Sequence, residues 1–340
     1  MSRADFSLRT AILQALETRR GETISGAQLA KETGVTRAAI WKAISQLRAE
    51  GAAIDAATNR GYSLRAESGL LNAQGITALL DEAARALFSV KTEPCVTSTN
   101  TLLKAAAQAG ALQGTVLCAG EQTQGRGRMG RDFYSPPDSG VYLSVILRPA
   151  MRAQDALFIT TAAAVAVCRA IERLGGSPGD ARIKWVNDVF VGRKKVCGIL
   201  TEAALDFESG GLEYAVLGIG TNLLAPAASF PDDLRKIAGG IFTGDIANLR
   251  NRFAAAVLNE LAVLISRADY NAPAYLAEYR ARSFLLGTQV DVLSAAGERA
   301  ALAVDIDAGA RLVVRYPDGT EEALSSGEVR VRPAAEAKIE

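Results

Sequence analysis

Residues 125–131 read Gly-Arg-Gly-Arg-Met-Gly-Arg, and this stretch bears most directly on the fold. Its glycines match the G-x-G-x-x-G pattern of a dinucleotide-binding unit, which requires a helix to open at the third glycine. Pro136 and Pro137 follow too closely for such a helix to form. The stretch therefore indicates a glycine loop with three arginines, whose backbone amides and guanidinium groups suit a phosphate or carboxylate ligand. A flexible basic surface loop is the alternative.

Short apolar strands alternate with helices on both sides of this loop. Several connections are too short for helical crossovers, so some neighbouring strands must pair antiparallel. This predicts an α/β multidomain chain in which residues 67–283 form a central α+β domain with a mixed sheet. The predicted strands are 116–119, 141–147, 182–185, 189–191, 198–203 and 214–219, and the long helices are 153–174, 250–268 and 272–282.

Residues 284–340 have a different pattern, with short strands predicted at 290–293, 301–306, 312–316 and 321–324. Glycine turn signals separate these strands, as they do in β-hairpins. A chain of about 50 residues with this spacing predicts a small β-barrel domain.

The first 66 residues carry ten Lys or Arg and six Asp or Glu, whereas the whole chain has a net charge of +1. Helix caps at Ser25 and Thr36, a turn at Gly34 and strands at 53–57 and 62–64 predict a winged helix-turn-helix in residues 1–66. A small helical protein-interaction module is the alternative. The residues expected to contact DNA are Arg37, Ala38, Trp41, Lys42, Ser45 and Arg60.

The chain contains no histidine. This excludes Ser-His-Asp and Cys-His catalysis, histidine-containing zinc sites and an imidazole switch. Four widely separated cysteines favour a reduced, cytoplasmic setting. The N-terminus has no apolar signal core, and the longest weakly polar run, 158–168, is shorter than the ~20 residues of a spanning helix. We therefore expect no membrane association.

Three further motifs carry polar residues suited to binding. Ser98, Thr99 and Asn100 precede a helix, which they could cap, or they could bind a polar head group. Residues 184–188 read Lys-Trp-Val-Asn-Asp between two strands, either as a plain hairpin turn or as a cation beside a carboxylate able to hold Mg²⁺. Lys195 stands at the start of a buried strand and could point into a pocket.

Together these motifs resemble the biotin protein ligases. The matching residues occur in the order and approximate spacing of that family: Ser98, Thr99, Asn100, Gln122, 125–128, 184–188, Lys195 and Gly-Ile-Gly-Thr-Asn at 218–222. The winged helix-turn-helix and the C-terminal barrel, SH3-like in this family, extend the resemblance to nearly the whole chain. The chain departs from the family pattern at Met129, Phe133 and Val186, where a basic residue, tryptophan and proline are common.

The resemblance implies a bifunctional ligase and repressor. In its first step the biotin carboxylate attacks the α-phosphate of Mg·ATP, giving biotinyl-5′-adenylate and pyrophosphate. A lysine of biotin carboxyl carrier protein then attacks the adenylate. The first step joins two anions, so it needs cations and alignment. The resemblance also implies that the adenylate-bound protein represses biotin synthesis genes at operator DNA. It is expected to do so as a homodimer, because a winged helix-turn-helix usually reads two half-sites.

The resemblance also assigns roles to residues. The expected catalytic residues are Lys195, Arg128, Lys184 and Asp188, the last as a Mg²⁺ ligand or as acceptor of the lysine proton. The expected biotin-binding residues are Ser98, Thr99, Asn100, Gln122, Gly125, Arg126, Gly127, Arg128, Lys195 and Gly198. The expected nucleotide-binding residues are Arg128, Arg131, Phe133, Lys184, Asn187 and Asn222.

Three other functions remain open from the sequence. A ligand-sensing repressor without catalysis would need neither the arginine loop nor Asp188. A lipoate-type ligase shares the core fold and adenylation chemistry, although the loop at 126–128 and the Lys184-Trp185 pair favour biotin. In the third alternative the basic N-terminal domain of a ligase binds a protein instead of DNA.

Overall fold

The computed structural model describes residues 3–57, 60–176, 179–206, 208, 210–226, 228–244, 246–265, 275–294, 297–325 and 327–331. Its N-terminal part consists of three helices followed by an antiparallel hairpin. These elements are α1 (Arg3–Thr18), α2 (Gly26–Thr33), α3 (Arg37–Ala49), β1 (Ile54–Ala57) and β2 (Gly61–Leu64).

The predicted caps explain where α2 and α3 begin. The Ser25 hydroxyl accepts a hydrogen bond from the backbone N–H of Gln28, and the Thr36 hydroxyl accepts one from Ala39. Gly34 ends α2 in the left-handed conformation, with φ at 70°, as a helix C-cap requires. Residues 58 and 59 of the predicted wing turn lie outside the described residues.

A seven-stranded sheet forms the centre of the chain, in the order β3-β4-β5-β9-β8-β7-β6. Strands β3 and β4 pair in parallel and the other neighbours pair antiparallel, which confirms the predicted mixed sheet. The edge strand β3 is missing from the predicted set. The strands are β3 (Ser89–Val96), β4 (Thr115–Gln122), β5 (Gly140–Leu147), β6 (Ala181–Lys184), β7 (Asp188–Val191), β8 (Lys194–Leu205) and β9 (Leu212–Asn222).

Helices cover both faces of this sheet. Leu117, Ile146 and Val216 pack with residues of α6 on one face, and their neighbours Val145 and Leu217 join the main core with α7 and α9 on the other. Strand side chains alternate between faces, which explains this division. The helices are α4 (Ala73–Ala78), α5 (Glu82–Leu87), α6 (Thr99–Gln108), α7 (Leu157–Arg173), α8 (Asp232–Arg235), α9 (Leu249–Ile265) and α10 (Leu276–Arg282).

Residues Ala153–Arg173 form the one described helix that is long and apolar enough to cross a membrane by length and composition. Most of this segment is buried inside the protein, between α9 and the sheet. Its first turn, Ala153–Asp155, is a 3-10 helix, so α7 starts later than predicted. The ends predicted for the next two helices, 266–268 and 272–274, lie outside the described residues.

The C-terminal part is a five-stranded antiparallel sheet in the order β13-β12-β11-β10-β14. Its strands are β10 (Gln289–Ser294), β11 (Gly297–Ile306), β12 (Leu312–Arg315), β13 (Glu321–Leu324) and β14 (Glu328–Val331). Strand β14 is absent from the predicted set. Among the residues described, β13 and β14 form the two edges, so closure into the expected barrel stays a prediction. The inner residues of this sheet join the core of the central domain.

Buried polar residues join the N-terminal helices to the central domain. The guanidinium of Arg20 donates to Glu17 (2.8 Å), to Asn248 Oδ1 (3.2 Å) and to three carbonyl oxygens of the linker after β2 (3.0–3.3 Å). The amide of Asn72 donates to Glu17 at 2.7 Å, and that of Asn251 donates to Asn248 at 2.7 Å. The Arg20 side chain therefore contacts α1, the linker and the residue before α9.

Candidate active site

A cavity of about 160 Å³ brings together most of the residues predicted for the ligase site. It lies between the start of α6, the arginine loop, the β6–β7 hairpin and strands β8 and β9. The predicted residues that line it are Ser98, Thr99, Asn100, Gln122, Arg126, Gly127, Arg128, Arg131, Phe133, Lys184, Asn187, Asp188, Lys195 and Gly198.

Two predicted residues do not line this cavity. Gly125 is buried under the loop, and its carbonyl accepts a hydrogen bond from the Phe133 N–H at 2.9 Å. A Cβ at Gly125 would lie 2.2 Å from the Phe133 carbonyl oxygen, so only glycine fits there. Asn222 ends β9, and its backbone carbonyl accepts from the N–H of Ile241 at 3.1 Å.

One end of the cavity is lined by buried, uncharged polar groups at the start of α6. The helix begins at Thr99, two residues earlier than predicted, with Ser98 as its N-cap. The Thr99 N–H and hydroxyl lie 2.9 and 3.1 Å from Gln122 Oε1. The Ser144 hydroxyl lies 2.7 Å from Thr99 Oγ1 and 2.6 Å from Asn100 Oδ1. These donors and acceptors suit a small polar group better than a charged one.

Glycines form the wall of β8 and β9 beside this polar end. A Cβ at Gly218 would lie 2.0 Å from Asn100 Oδ1. Cβ atoms at Gly198 and Gly220 would lie 3.0 and 2.7 Å from the ring of Phe133, which covers both positions. Glycine inside a strand often marks such a close approach. Applied to residues 218–222, this rule could have placed Gly218 and Gly220 in the site.

The arginine loop folds as a tight turn. Its 3-10 segment, Arg128–Gly130, is followed by extended residues instead of an α-helix. The G-x-G-x-x-G pattern therefore does not form a dinucleotide-binding unit here. The N–H of Gly127 donates to the Arg131 carbonyl at 2.7 Å. The Arg128 guanidinium donates to Asn187 Oδ1 at 3.1 Å, while Met129 is exposed. The loop therefore turns Arg128 toward the β6–β7 hairpin.

The opposite end of the cavity is cationic. Lys195 Nζ lies 2.7 Å from Asp188 Oδ1, with Lys184 and Arg128 on the same lining. Asn187 is held by a hydrogen bond from its amide to the Ile199 carbonyl at 3.0 Å. Two lysines and an arginine on one lining, with Lys195 paired to a carboxylate, can neutralise an anionic ligand.

Two other ionisable groups, Tyr142 on the cavity lining and the buried Cys197 next to the lining residue Gly198, remain protonated near neutral pH. Burial raises the pKa of the Cys197 thiol to about 12. Burial also raises the pKa of Tyr142, whose hydroxyl donates to the Pro136 carbonyl at 2.9 Å. Neither side chain can therefore serve as a nucleophilic anion or a general base at neutral pH.

Sequence reasoning missed several lining residues. Gly327 and Val329 of the C-terminal part line the edge of the cavity. No local sequence pattern predicts this contact. Glu202, next to the lining, lies 3.4 Å from Arg126 through its carboxylate. The other unpredicted lining residues are Met129, Asp132, Tyr142, Trp185, Ile199, Leu200, Gly218, Ile219 and Gly220.

The described residues contain no group of three or more His, Cys, Asp or Glu able to hold a metal ion. Magnesium bound with a nucleotide needs fewer protein ligands, because phosphate oxygens and water complete its shell. Asp188 and Asp132 line the cavity and could supply a carboxylate oxygen. The residues present therefore fit a phosphate-bound Mg²⁺ but not an all-protein metal site.

A second surface lies on the N-terminal helices. The side chains predicted to contact DNA are exposed on α3, and Trp41 is 65% exposed. Trp41 is therefore not a core residue. Arg60, beside the wing turn, is exposed as well. The described surface matches the outward face that a helix-turn-helix presents to a duplex.

Comparison with known proteins agrees with this geometry. The profile of the biotin/lipoate A/B protein ligase family matches residues 93–222, and an HTH domain profile matches residues 8–63. The bifunctional ligase/repressor BirA of Bacillus subtilis (strain 168) is 35% identical over 241 residues, covering 68% of this chain and 70% of the relative. The protein of the same name from Escherichia coli (strain K12) is 29% identical over 319 residues, covering 92% of this chain and 94% of the relative.

A solved structure supports the fold. The biotin protein ligase from Aquifex aeolicus in complex with biotin and ATP superposes with a TM-score of 0.58 at 23% identity, covering 72% of this chain and 99% of that one. Sequence similarity across the site motifs and the N-terminal domain, together with this fold, leads to one assignment. The chain belongs to the biotin/lipoate A/B protein ligase family, in the form that carries an N-terminal helix-turn-helix domain.

Proposed function

We propose that this protein is an ATP-dependent ligase that activates biotin to biotinyl-5′-AMP and transfers it to a lysine of biotin carboxyl carrier protein. The observation that carries the proposal is the division of the cavity. One end offers neutral hydrogen-bonding groups around Thr99 and Gln122, and the other offers Lys184, Lys195 and Arg128. Biotin and ATP together have this polarity, with a neutral ureido ring, a carboxylate and a triphosphate.

In the binding step, the ureido end of biotin occupies the polar end of the cavity. Ser98, Thr99, Asn100 and Gln122 supply its hydrogen-bond partners, together with the backbone of Arg126 and Gly127 on the cavity lining. The glycines at 198 and 220 admit the Phe133 ring, and Gly218 admits the Asn100 amide, so these two side chains form the wall of the proposed biotin site beside β8 and β9. The carboxylate of biotin then points toward Lys195.

In the adenylation step, a carboxylate oxygen of biotin attacks the α-phosphorus of ATP. The bond to the bridging oxygen breaks, and pyrophosphate leaves. The nucleophile is already an anion and needs no base, so alignment and cations provide the catalysis. Lys195 holds the carboxylate, and Arg128, Arg131 and Lys184 bind the phosphates. Phe133 and Asn187 complete the nucleotide site on the cavity lining, whereas Asn222, the third residue expected there, ends β9 outside the lining.

In the transfer step, the lysine amine of the carrier attacks the mixed anhydride and AMP leaves. Asp188 either accepts the proton of the amine or contributes an oxygen to Mg²⁺. When bound, Mg²⁺ supplies charge neutralisation to the triphosphate. The ion pair between Asp188 and Lys195 at 2.7 Å is compatible with both roles of Asp188. When ligands enter, Lys195 can pair with the biotin carboxylate instead, and Asp188 is then available to the amine or to Mg²⁺.

Biotin-dependent exchange of labelled pyrophosphate into ATP tests the ligase proposal. We expect exchange with biotin and much less with lipoate. Biotin binding without exchange would identify a ligand-sensing repressor, and preferred exchange with lipoate would identify a lipoate-type ligase. Transfer of labelled biotin to a purified carrier domain then tests the second step.

We also propose that the adenylate-bound protein dimerises and represses biotin synthesis genes through α3 and the wing. Adenylate would order the loop at 125–130 and the segment 222–240 and so favour the dimer. A gel shift on operator DNA should show retardation only with biotin and ATP. Retardation by any duplex, and only at low salt, would count against specific repression and favour a protein partner for this domain.

Three further proposals concern the whole chain. The location is cytoplasmic, which is supported by the four cysteines, all free. The protein has no membrane association, which is supported by the packing of α7 within the core. The C-terminal sheet closes as an SH3-like barrel, which is supported by the bulge between Ala303 and Asp305 in β11, because bulges help sheets to curl.

A further inference from the structure

We propose that Ser144 and Glu202 are positioning residues that set the ligand specificity of the polar end of the cavity. Neither residue lines the cavity. They complete a ring of hydrogen bonds that starts at residues 133–135, just after the arginine loop, ends at Arg126 in the loop, and orients Thr99, Asn100 and Gln122. The inference rests on the proposed biotin site and extends it to residues behind that site.

The first arc of the ring runs from residues 133–135, just after the loop, to α6. The Ser135 hydroxyl donates to the Phe133 carbonyl at 2.9 Å, and Gln122 Nε2 donates to Ser135 Oγ at 3.0 Å. This fixes the direction of the Gln122 amide, because its Oε1 then faces Thr99. The Thr99 N–H donates to Oε1 at 2.9 Å, so Gln122 and Thr99 hold each other in place.

The second arc depends on Ser144, which is fully buried on β5. Its hydroxyl lies between Thr99 Oγ1 and Asn100 Oδ1, at 2.7 and 2.6 Å. An amide oxygen can only accept, so the single proton of Ser144 is drawn toward Asn100. This orientation turns the Asn100 amide nitrogen toward the Leu200 carbonyl and Glu202, each at 3.2 Å.

The third arc closes the ring through Glu202 on β8. Its carboxylate accepts from Asn100 and lies 3.4 Å from the guanidinium of Arg126 and 3.5 Å from Lys104. The Glu202 side chain is only 18% exposed, whereas that of Arg126 is 49% exposed. A largely buried carboxylate thus anchors an exposed arginine of the loop. Gly218 makes the ring possible, since any Cβ there would collide with Asn100.

The chemical consequence is discrimination between ligands. A site with oriented, buried donors and acceptors rejects a ligand that leaves them unpaired far more strongly than an apolar pocket rejects a small change in shape. A cyclic urea has two N–H donors and a carbonyl acceptor, whereas the dithiolane ring of lipoate has neither. Ser144 and Glu202 therefore act on the preference for a ureido group and not on the chemical step.

The test uses Ser144→Ala and Glu202→Gln in the full-length protein, with Thr161→Ala as control. Thr161 is an equally buried hydroxyl on α7, bonded to the Leu157 carbonyl at 3.0 Å, and it does not line the cavity. We expect Ser144→Ala to raise the biotin KM of exchange by about tenfold with kcat within about twofold. Thr161→Ala should leave the KM unchanged even if it lowers Tm.

Glu202→Gln separates the two functions of that side chain. Glutamine Oε1 can still accept from Asn100 but no longer attracts Arg126, so biotin KM should change by less than about threefold. Glu202→Ala should resemble Ser144→Ala. Both Ser144→Ala and Glu202→Ala should weaken the preference for biotin over lipoate. Calorimetry measures this as dissociation constants for the two ligands that lie closer together than those of the wild type.

The outcomes are distinguishable. An active wild type with Ser144→Ala and Glu202→Ala both showing wild-type KM and ligand ratio would overturn the ring as a positioning device. If Ser144→Ala fails to fold, the comparison of Glu202→Ala with Glu202→Gln decides alone. A wild type that binds biotin without exchange refutes the ligase proposal, while the calorimetric ratio still tests the ring. A wild type that binds no biotin overturns both.

Discussion

In the proposed mechanism, Lys195 lies where the biotin carboxylate and the α-phosphate of ATP, both negatively charged, meet during adenylation. Replacing it with alanine removes the cation beside Asp188, and we expect adenylate synthesis to fall by at least about a hundredfold. Pyrophosphate exchange measures this loss. Lys194→Ala is the matched control, because Lys194 Nζ donates to the Arg235 carbonyl at 2.6 Å and does not line the cavity. Near-normal exchange by Lys195→Ala with an unchanged Tm would remove Lys195 from its role.

Arg128 has a different expected effect, on retention of the intermediate. Its guanidinium is held by Asn187 at 3.1 Å and faces the proposed phosphate site. Arg128→Gly should release biotinyl-adenylate into solution, where it labels lysines of bystander proteins. Mass spectrometry of an added inert protein measures this labelling. Labelling no higher than that of the wild type would contradict the assignment.

At the scale of single residues, the sequence predicts those site residues whose side-chain type and spacing suit ligand binding. Ser98, Arg128 and Lys195 are recognisable because they stand in polar motifs beside apolar strands, whereas Gln122 was identified only through the resemblance to the biotin protein ligases. Ser144 was not recognisable, since a single serine inside the apolar strand β5 has no local signature. Its role depends on α6 crossing that strand, which is a property of tertiary structure.

At the element scale, a group of ion pairs links α7 to α10. Arg282 donates to Glu172 at 2.7 Å and to Glu278 at 2.9 Å, and Arg169 also contacts Glu278. The hydrogen bond from Arg282 lowers the pKa of Glu172 below its usual value of 4.5. Partial burial alone would raise the pKa of Glu278, but its bonds with Arg169 and Arg282 lower it overall.

Lowered carboxylate pKa values predict a direction of pH dependence. These glutamates bind protons more readily in the unfolded chain than in the folded one. Their contribution to the free energy of unfolding is therefore complete above about pH 4.5 and declines as the pH falls through their lowered pKa values in the folded protein. Denaturant unfolding at pH 7 and at pH 3.5 measures it. Glu172→Gln should cost about 1 kcal/mol at pH 7 and show a smaller loss between the two pH values. An unchanged pH dependence in this variant would exclude Glu172 as a contributor.

Elements with a strong period were predicted well, and irregular ones were not. The capped helices α2 and α3 and the apolar strands β5 and β9 follow from side-chain pattern alone. Strand β3 escaped because it lies at the sheet edge, where alternate residues are exposed and Pro94 interrupts the pattern. Strand β14 also lies at a sheet edge, and its four residues alternate two charged side chains with two valines, so it has no apolar run of its own.

At the scale of the whole molecule, the Arg20 side chain links the N-terminal helices to the central domain. Its partner Glu17 has a side chain that is 2% exposed, so Arg20→Ala would leave a buried carboxylate without this cation, although Asn72 would still donate a hydrogen bond to it. We expect a loss of about 3 kcal/mol in unfolding free energy and faster proteolysis of the linker at 65–72. Arg19→Ala is the control, because its pair with Glu32 lies on the surface and should contribute less than about 1 kcal/mol. Equal stability of the two variants would show that the junction does not depend on Arg20.

This attachment could not be predicted from the sequence. The junction joins residues more than two hundred positions apart, as in the bond between Arg20 and Asn248. The same is true of the C-terminal sheet, which reaches the cavity through Gly327 and Val329. Polar contacts between separate domains have no periodicity, so only the assembled chain reveals them.

The chain has two tryptophans, and the fold puts one at each proposed working surface. Trp41 lies exposed on α3, whereas Trp185 is 4% exposed beside the cavity, with its indole N–H bonded to the Ala310 carbonyl at 3.0 Å. Intrinsic fluorescence should therefore resolve into a red-shifted, acrylamide-quenched component and a blue-shifted, protected one. Phenylalanine variants of either residue would give two label-free signals, one reporting on duplex at the N-terminal helices and the other on ligand at the β6–β7 hairpin.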